Sequence, residues 1–453
     1  MEKRMWKDRK EVLEGLYLIY FALVLAAAFK DTTMIPFGWT DTHLYFLNLF
    51  GGLVVFARIA SDREWKMREM VLACLTAAVL LACWHHYMRR YVIELVILIV
   101  GARGVKFRKI LKVYLGITAA ALLFTALLAV GGVIENLVYI QPERNNLPRI
   151  SFGSIYPTDF AAHVCFLAIC YAWIRIRKLR YPEIAGILGA GVFCLVFCGA
   201  RTTAVLLTCL SVFLAAYKRW GDALLNKQMR MFCCVSMPLL GIATILATAL
   251  YDPKCRILRM ADRLLNNRLS QGKEGMNRYP ATILGQEVPM TGFGGRLRLE
   301  KGETYFFLDS SYINILLQYG IAVLLLVFFV FTFSAFRMKR EGMYAELILL
   351  ALVALGSVME HHLIEIAYHP FWLLLLADLG GMERKDGREH GKRIDIGGDA
   401  DVQPGGHDPA EHFQYTETDV PEHRDHCCGR RFCGSDGEGC PKNPGRPSAV
   451  FPV

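Results

Sequence analysis

The chain is organised as a series of long apolar segments, most of them 16 residues or longer, separated by short polar turns. An α-helix of about 20 apolar residues matches the hydrocarbon thickness of a bilayer. The hydrophobic share of 54% over 453 residues is too high for an ordinary soluble protein. The sequence therefore predicts an all-α, polytopic integral membrane protein.

The apolar segments predict about 12 transmembrane helices. In chain order they are 12–29, 44–60, 69–84, 91–102, 113–134, 158–174, two spans within 183–217, 231–250, 309–333, 344–359 and 363–379. The run 183–217 has about twice the length that one helix needs, so we divide it at a turn, Gly199-Ala200-Arg201-Thr202. Polar segments at about 135–157 and 251–308 are predicted to be loops.

Basic residues predict the orientation of these helices. Lys and Arg cluster in residues 1–11 and again in every second turn, whereas most of the other turns carry few. By the positive-inside rule, both termini are cytoplasmic and the loops 135–157 and 251–308 lie outside. The net charge of +10 thus reflects topology, and we do not expect nucleic acid as a partner. The loop 251–308 is an exception, since it is outside and yet rich in Lys and Arg, which would attract an anionic substrate.

Residues 383–453 have a different composition, rich in Gly, Pro, His, Asp and Cys, which predicts a disordered cytoplasmic tail. Its potential zinc ligands are His423, His426, Cys427, Cys428, Cys433 and Cys440. They lack the paired Cys-x-x-Cys spacing that is typical of zinc sites. We therefore predict no metal site and no cofactor.

Three arginines beside the predicted outer surface are candidates for binding phosphate. Arg201 interrupts an apolar run, where an arginine costs roughly 2.5–3.5 kcal/mol on insertion scales. Its guanidinium suits phosphate, although a surface turn whose side chain reaches lipid headgroups is the alternative. Arg149 and Arg268 lie in the two outer loops, and a solvated loop position is the alternative for Arg149. Arg268 follows the amphipathic stretch 257–265, which predicts a helix at the membrane interface.

Three further residues are candidates for a general base, because a carboxylate or an imidazole can accept a proton from a hydroxyl group. Asp309 lies where the tenth helix is predicted to begin, and a helix N-cap is its alternative role. Glu360 and His361 lie in the outer turn before the last segment, which could be a simple polar turn at the interface. The sequence leaves open which of the three is the base.

Five short motifs lie between residues 149 and 320. They are Arg149-x-Ser-Phe-Gly, Pro157-Thr158-Asp159-Phe160-Ala161-Ala162, Gly199-Ala200-Arg201-Thr202, Pro289-x-x-Gly292-x-Gly294, and Asp309-Ser310-Ser311-Tyr312 with the following Tyr319-Gly320. Together with the topology they resemble the O-antigen polymerase and ligase superfamily of bacteria, in particular the Wzy-type polymerases of capsule and exopolysaccharide synthesis. The resemblance covers about residues 12–380. It implies a GT-C-like fold with a large extracytoplasmic loop before helix 10.

The resemblance also implies an activity. Members polymerise oligosaccharide repeat units linked to undecaprenyl pyrophosphate, by metal-independent glycosyl transfer at the outer face of the cytoplasmic membrane. Arg149, Arg201 and Arg268 would then bind the pyrophosphate. The implied partners are the lipid-linked oligosaccharide, membrane lipid, a chain-length regulator and a flippase. Ligases of the superfamily carry a histidine where this chain has Asp309, and this departure favours a polymerase.

Three other functions compete with this interpretation. A ligase would transfer the glycan to another acceptor, and a flippase or transporter would move the lipid-linked oligosaccharide without making a bond. Many transporters have two related halves, but the chain shows no internal repeat and no Walker A phosphate loop. A scaffold protein would leave Arg201 unexplained.

Overall fold

The computed structural model describes residues 2–36, 38–62, 64–86, 90–140, 147–292 and 306–380. The predicted tail 383–453, with its His and Cys residues, and Gly294 of the fourth motif lie outside this part of the chain. The helices are α1 (Glu2–Thr32), α2 (Asp41–Ser61), α3 (Met67–His86), α4 (Arg90–Gly101), α5 (Phe107–Val130), α6 (Pro157–Arg175), α7 (Tyr181–Cys198), α8 (Arg201–Trp220), α9 (Lys227–Ala249), α10 (Arg256–Leu264), α11 (Arg268–Arg278), α12 (Ser311–Asn314), α13 (Gly320–Arg340) and α14 (Tyr344–Gly356). Two strands, β1 (Val138–Ile140) and β2 (Pro148–Ile150), form an antiparallel hairpin.

Nine of the described helical segments are long and apolar enough to cross a membrane, which confirms a helical multi-pass membrane protein. They are α1, α2, α3, α5, α6, α7, α8, α9 and the continuous segment Ser311–Arg340, which contains α12 and α13. α4 and α14 have 12 and 13 residues, so each rises only about 20 Å. The most deeply buried spans are α6 and Ser311–Arg340, which therefore lie at the centre of the bundle.

The predicted twelfth helix is wrong. The segment 363–379 is irregular and contains only short 3₁₀ turns, at His362–Ile364 and Phe371–Leu375. Its side chains are nearly all buried among the surrounding helices, which explains why the sequence is as apolar as a membrane span. An apolar composition indicates that a segment is shielded from water, by lipid or by protein. A segment that is buried in protein does not need to be a helix.

Side chains of neighbouring elements satisfy part of the backbone of this irregular segment. Arg337 of α13 donates hydrogen bonds to the backbone oxygens of Leu374 and Leu375, at 3.1 and 3.0 Å. The indole nitrogen of Trp372 donates to the oxygen of Leu363 at 2.8 Å. Irregular backbone occurs at membrane depth only where protein or a water-filled cavity replaces the lipid, and this segment meets that condition.

The bundle has two polar ends that the chain visits alternately. At the Arg103 end, Arg103 follows α4 and forms ion pairs with Asp62 and Glu69, which flank the turn between α2 and α3. The Glu360 end carries the β1–β2 hairpin, α10, α11, the start of α12 and the end of α14. The irregular segment 363–379 begins just after Glu360. Its far end pairs with the start of α5, where the backbone nitrogen of Phe107 donates to the backbone oxygen of Asp378 at 2.7 Å. The segment therefore crosses the bundle from end to end without forming a helix.

The central span Ser311–Arg340 is interrupted near the Glu360 end. One π-helical turn, Ile315–Tyr319, separates α12 from α13, and Gly320 has a φ of +87°. The loop after α11 pairs with this break, because the backbone nitrogen of Ile321 donates to Thr282 at 2.9 Å. A Cβ atom on residue 320 would lie 2.5 Å from the backbone oxygen of Ile283, so the contact requires glycine. Tyr319-Gly320 of the fifth motif thus fixes the loop on the span.

Candidate functional site

Arg268 and Asp309 form an ion pair at the Glu360 end. Arg268 is the first residue of α11, and its position is fixed by Asp262, whose Oδ1 accepts hydrogen bonds from the backbone nitrogens of Leu269 and Ser270 at 2.9 and 3.0 Å. The side chains of Arg268 and Asp309 are only 17% and 15% exposed. The structure thus joins one predicted phosphate ligand and one predicted base in a single, largely buried pair.

Asp309 is not a helix N-cap, so that alternative is wrong. α12 begins two residues later, at Ser311, and Ser310 takes the N-cap position. The carboxylate of Asp309 is directed to the guanidinium of Arg268 instead. The reason lies at the junction of α10 and α11, because Asp262 of α10 caps the start of α11 and so holds Arg268 within reach of Asp309.

Glu360 follows α14 and is held against the start of α12. Its backbone oxygen accepts hydrogen bonds from the nitrogen of Ser311, at 3.1 Å, and from the Ser311 hydroxyl. Burial raises the pKa of Glu360 to about 7, while the charge of Arg268 and a hydrogen bond with Thr202 act in the opposite direction. A carboxyl group with such a pKa can take a proton from a hydroxyl group and release it again near neutral pH.

Arg149 is buried, with 4% of its surface exposed, so the alternative of a solvated loop position is wrong. It lies in β2 opposite Tyr139 of β1, and its Nε donates to the backbone oxygen of Cys198 at 2.9 Å. Its guanidinium lies 5.3 Å from the ring centre of Tyr156. Gly199 has a φ of +61°, and a Cβ atom there would lie 2.9 Å from Arg149 Nε. Arg149 therefore joins the hairpin to the turn between α7 and α8.

Arg201 is the first residue of α8, on the turn that Arg149 supports, and its side chain is exposed. Within the described residues, the Arg201 side chain makes no hydrogen bond or ion pair. The hydroxyl of the next residue, Thr202, donates to Sδ of Met359, the neighbour of Glu360, at 3.8 Å, so Arg201 lies at the same end of the bundle as the other candidates. An exposed guanidinium at a helix N-terminus, where backbone N–H groups also point outward, suits an anionic ligand.

A cluster of histidines and carboxylates follows Glu360 directly. His362 is 1% exposed, with Nδ1 3.6 Å from Glu365 Oε2 and Nε2 3.9 Å from Asp159 Oδ1. The potential ligand atoms of His361, His362 and Glu365 all lie within 4.8 Å of one another, so these three could hold a metal ion. Burial, with His362 adding to the effect, lowers the pKa of His361 to about 3. An imidazole with so low a pKa is a weak base, which favours Glu360 over His361 for that role.

A cavity of about 280 Å³ adjoins this cluster. Its lining combines aromatic rings with amide and carboxylate groups and includes Glu287, Asn314, Gln318, Tyr319, His361 and Glu365. The hydroxyls of Tyr91 and Tyr319, both in the wall, are hydrogen-bonded to each other. A concave site with a few converging polar groups is the usual form of a small-molecule site, and such a lining offers stacking surfaces and hydrogen bonds to a sugar.

Two residues of this site have no role that the sequence alone predicts. Asp159 and Thr202 stand in the second and third motifs, but their contacts with His362 and Met359 depend on the packing of α6 and α8 against the turn after α14. The one signal in the sequence was Asp159, an acidic residue at the start of the apolar segment 158–174. Their polar side chains gain a partner only when these helices pack.

No protein-family model, curated protein or solved structure matches the chain. The ion-paired Arg268, the exposed Arg201 and the buried Arg149 supply positive charge at one end of the bundle. Glu360 and Asp309 supply carboxylates beside them. Such a site can bind an anionic group and accept a proton from a neighbouring hydroxyl group.

Proposed function

We propose that the protein polymerises oligosaccharide repeat units carried on undecaprenyl pyrophosphate, and that the Glu360 end is the active site. The observation that carries this proposal is the arrangement of the Arg268–Asp309 pair, Glu360 and the turn with Arg201 at one end of the bundle. The alternation of basic turns favours a position of this end outside the cytoplasmic membrane. An extracytoplasmic site of this charge suits a lipid-linked pyrophosphate donor.

The transfer step requires charge stabilisation more than a nucleophile of the protein. The oxygen of an acceptor hydroxyl attacks the anomeric carbon of the donor sugar, and a new carbon–oxygen bond forms. The bond from that carbon to the pyrophosphate oxygen breaks, and the electron pair leaves with undecaprenyl pyrophosphate. The hydroxyl proton passes to Glu360. Arginines that bind the departing phosphates stabilise the charge that develops there, while the cavity holds the acceptor in position.

The three arginines then have different tasks. Arg201 is exposed and has no partner within the described residues, so it can contact the pyrophosphate directly. Arg268 can do so from its ion pair with Asp309, which fixes the guanidinium. Arg149 is buried against Cys198 and supports the turn that carries Arg201. Direct contact with the phosphates is therefore assigned to Arg201 and Arg268, and Arg149 has a supporting role.

The position of the charged groups favours this proposal over transport. Many transporters bind their substrates near the middle of the membrane, between two repeats. Here the ion pair, Glu360 and Arg201 lie where helices begin or end, at one face of the bundle. A reaction at the membrane surface fits this placement better than passage through the bundle.

The proposal is tested by repeat-unit polymerisation in a host that supplies the lipid-linked repeat. We expect the wild type to build a ladder of chain lengths. Arg201→Ala and Arg201→Lys should stop at one repeat at matched membrane expression, because losing one charge-stabilising donor costs roughly 10²–10³ in rate. Arg219→Ala is the control, since Arg219 is also exposed but lies in the last turn of α8, at the other end of the bundle.

Two results would contradict the proposal. If both Arg201 variants build the same ladder as the wild type, Arg201 does not bind the donor. If the wild type builds no ladder but single repeats still reach the outer surface, the protein moves the lipid-linked repeat without joining it to another.

A further inference from the structure

The histidines after Glu360 are not used by the proposed transfer, and their ring nitrogens lack hydrogen-bond partners. His362 is 1% exposed, and neither of its nitrogens has a hydrogen-bond partner in the described part of the chain. Nδ1 of His361 is likewise buried without one. Buried polar atoms in folded proteins are nearly always hydrogen-bonded. Three such nitrogens on two adjacent residues point to a ligand that the protein binds there.

The spacing of the cluster fits a metal ion. Nδ1 of His362 lies 3.6 Å from Glu365 Oε2, and the potential ligand atoms of His361, His362 and Glu365 lie within 4.8 Å of one another. Tetrahedral Zn²⁺ with bonds of about 2.0–2.2 Å sets its ligand atoms roughly 3.4 Å apart. Small rotations of the side chains therefore bring all three atoms to one ion. Two imidazoles and one carboxylate are ligands that suit Zn²⁺.

A fourth residue has the position of an outer partner. Asp159 of α6 places Oδ1 3.9 Å from Nε2 of His362, the nitrogen that faces away from Glu365. Histidines that bind a metal commonly donate their second N–H to a carboxylate, which fixes the tautomer and the orientation of the ring. With the proton on Nε2, the lone pair of Nδ1 is directed toward Glu365 and the ion.

We propose that His361, His362 and Glu365 bind one Zn²⁺ ion, and that Asp159 is the positioning residue for His362. The ion would fix the start of the irregular segment 363–379, which has no long helix of its own to hold it. Three protein ligands leave one tetrahedral position for water, and the 280 Å³ cavity lined by His361 and Glu365 gives access to it.

The test measures bound metal, so it is independent of polymerase activity. The full chain is purified in detergent, stripped with a chelator, loaded with Zn²⁺ and analysed by elemental analysis. We expect His361→Gln, His362→Gln and Glu365→Gln each to bind one equivalent less than the wild type. Asp159→Asn should bind the ion 10–100-fold more weakly. His369→Gln is the control, because His369 is also fully buried, with neither nitrogen hydrogen-bonded within the described residues.

A second comparison separates this site from the tail, whose cysteines and histidines can also bind Zn²⁺. A variant with Cys427, Cys428, Cys433 and Cys440 all changed to Ser should still bind the one equivalent of Zn²⁺ that His362→Gln no longer binds. Zn²⁺ should raise the melting temperature of this variant and of the wild type, but not that of His362→Gln. If His362→Gln elutes as a folded protein and binds as much Zn²⁺ as the wild type, the proposal is wrong. It is also wrong if the four-serine variant binds none.

Discussion

At the scale of single residues, the ion pair between Arg268 and Asp309 joins a predicted phosphate ligand to a predicted base. They are 41 positions apart in the chain and meet because α11 begins beside the loop before α12. Removing one partner of a fully buried ion pair costs about 3–5 kcal/mol, since the other charge is left uncompensated. The cost is smaller for this pair, because both side chains are partly exposed.

A double-mutant cycle separates the structural and functional roles of this pair. Arg268→Ala and Asp309→Ala should each lower the melting temperature of the purified protein. The double variant should recover part of that loss, because no unpaired charge remains. Its polymerisation should stay at least about 100-fold below wild type, since the guanidinium that we propose stabilises the leaving group is gone. Recovery of both properties in the double variant would show that Arg268 serves stability alone.

At the scale of elements, the turn between α7 and α8 positions two of the three arginines. It carries Arg201 and receives the side chain of Arg149, and the approach is close because residue 199 has no Cβ atom. The sequence predicted this turn at 199–202 from an arginine in a long apolar run. The structure adds that the turn is held from the side by the β1–β2 hairpin through Arg149.

Gly199→Ala tests how much the site depends on this turn. An alanine at φ +61° costs about 1–2 kcal/mol in backbone strain, and its Cβ would displace Arg149. We expect a lower melting temperature and a loss of polymerisation. Gly189→Ala is the matched control, because Gly189 lies within α7, the helix that leads into the same turn, and a Cβ atom there would meet nothing within 4 Å beyond its own helix backbone. Equal behaviour of the two variants would contradict the role assigned to Gly199.

At the scale of the whole molecule, the alternation of basic turns predicts which end faces outward. The Glu360 end carries a natural reporter, Cys255, which is exposed in the segment between α9 and α10. The other exposed cysteines of the described residues, Cys74 and Cys209, lie within spanning helices, where lipid shields them from a charged reagent. Cys255 therefore reports on the orientation of the site.

A membrane-impermeant thiol reagent applied to spheroplasts should label Cys255. Labelling should disappear in Cys255→Ser, and the cysteines of the predicted cytoplasmic tail should react only after the membrane is disrupted. The readout is the mass of the labelled peptide. Labelling of Cys255 only after disruption would place the Glu360 end in the cytoplasm and contradict an extracytoplasmic reaction.

Hydropathy predicted most of the helical segments, because lipid-facing and buried helices must both be apolar and their turns must be polar. The segment 363–379 shows where this reasoning stops: its apolar residues contact protein on all sides, and hydropathy does not distinguish such a segment from a helix in lipid. The same limit applies to the site. The sequence could propose Arg268, Asp309 and Glu360 one by one, but their contacts depend on the packing of helices that are distant in the chain.

The central claim is that the protein itself joins lipid-linked repeats at Glu360. The most direct measurement uses purified protein in liposomes with the lipid-linked repeat and follows chain length and released undecaprenyl pyrophosphate. We predict that the wild type makes longer chains and releases one lipid carrier for each bond. Glu360→Gln, which keeps the shape but cannot accept the proton, should be slower by about 10²–10⁴. Wild-type protein that releases no undecaprenyl pyrophosphate, or a Glu360→Gln variant as fast as wild type, would contradict the account.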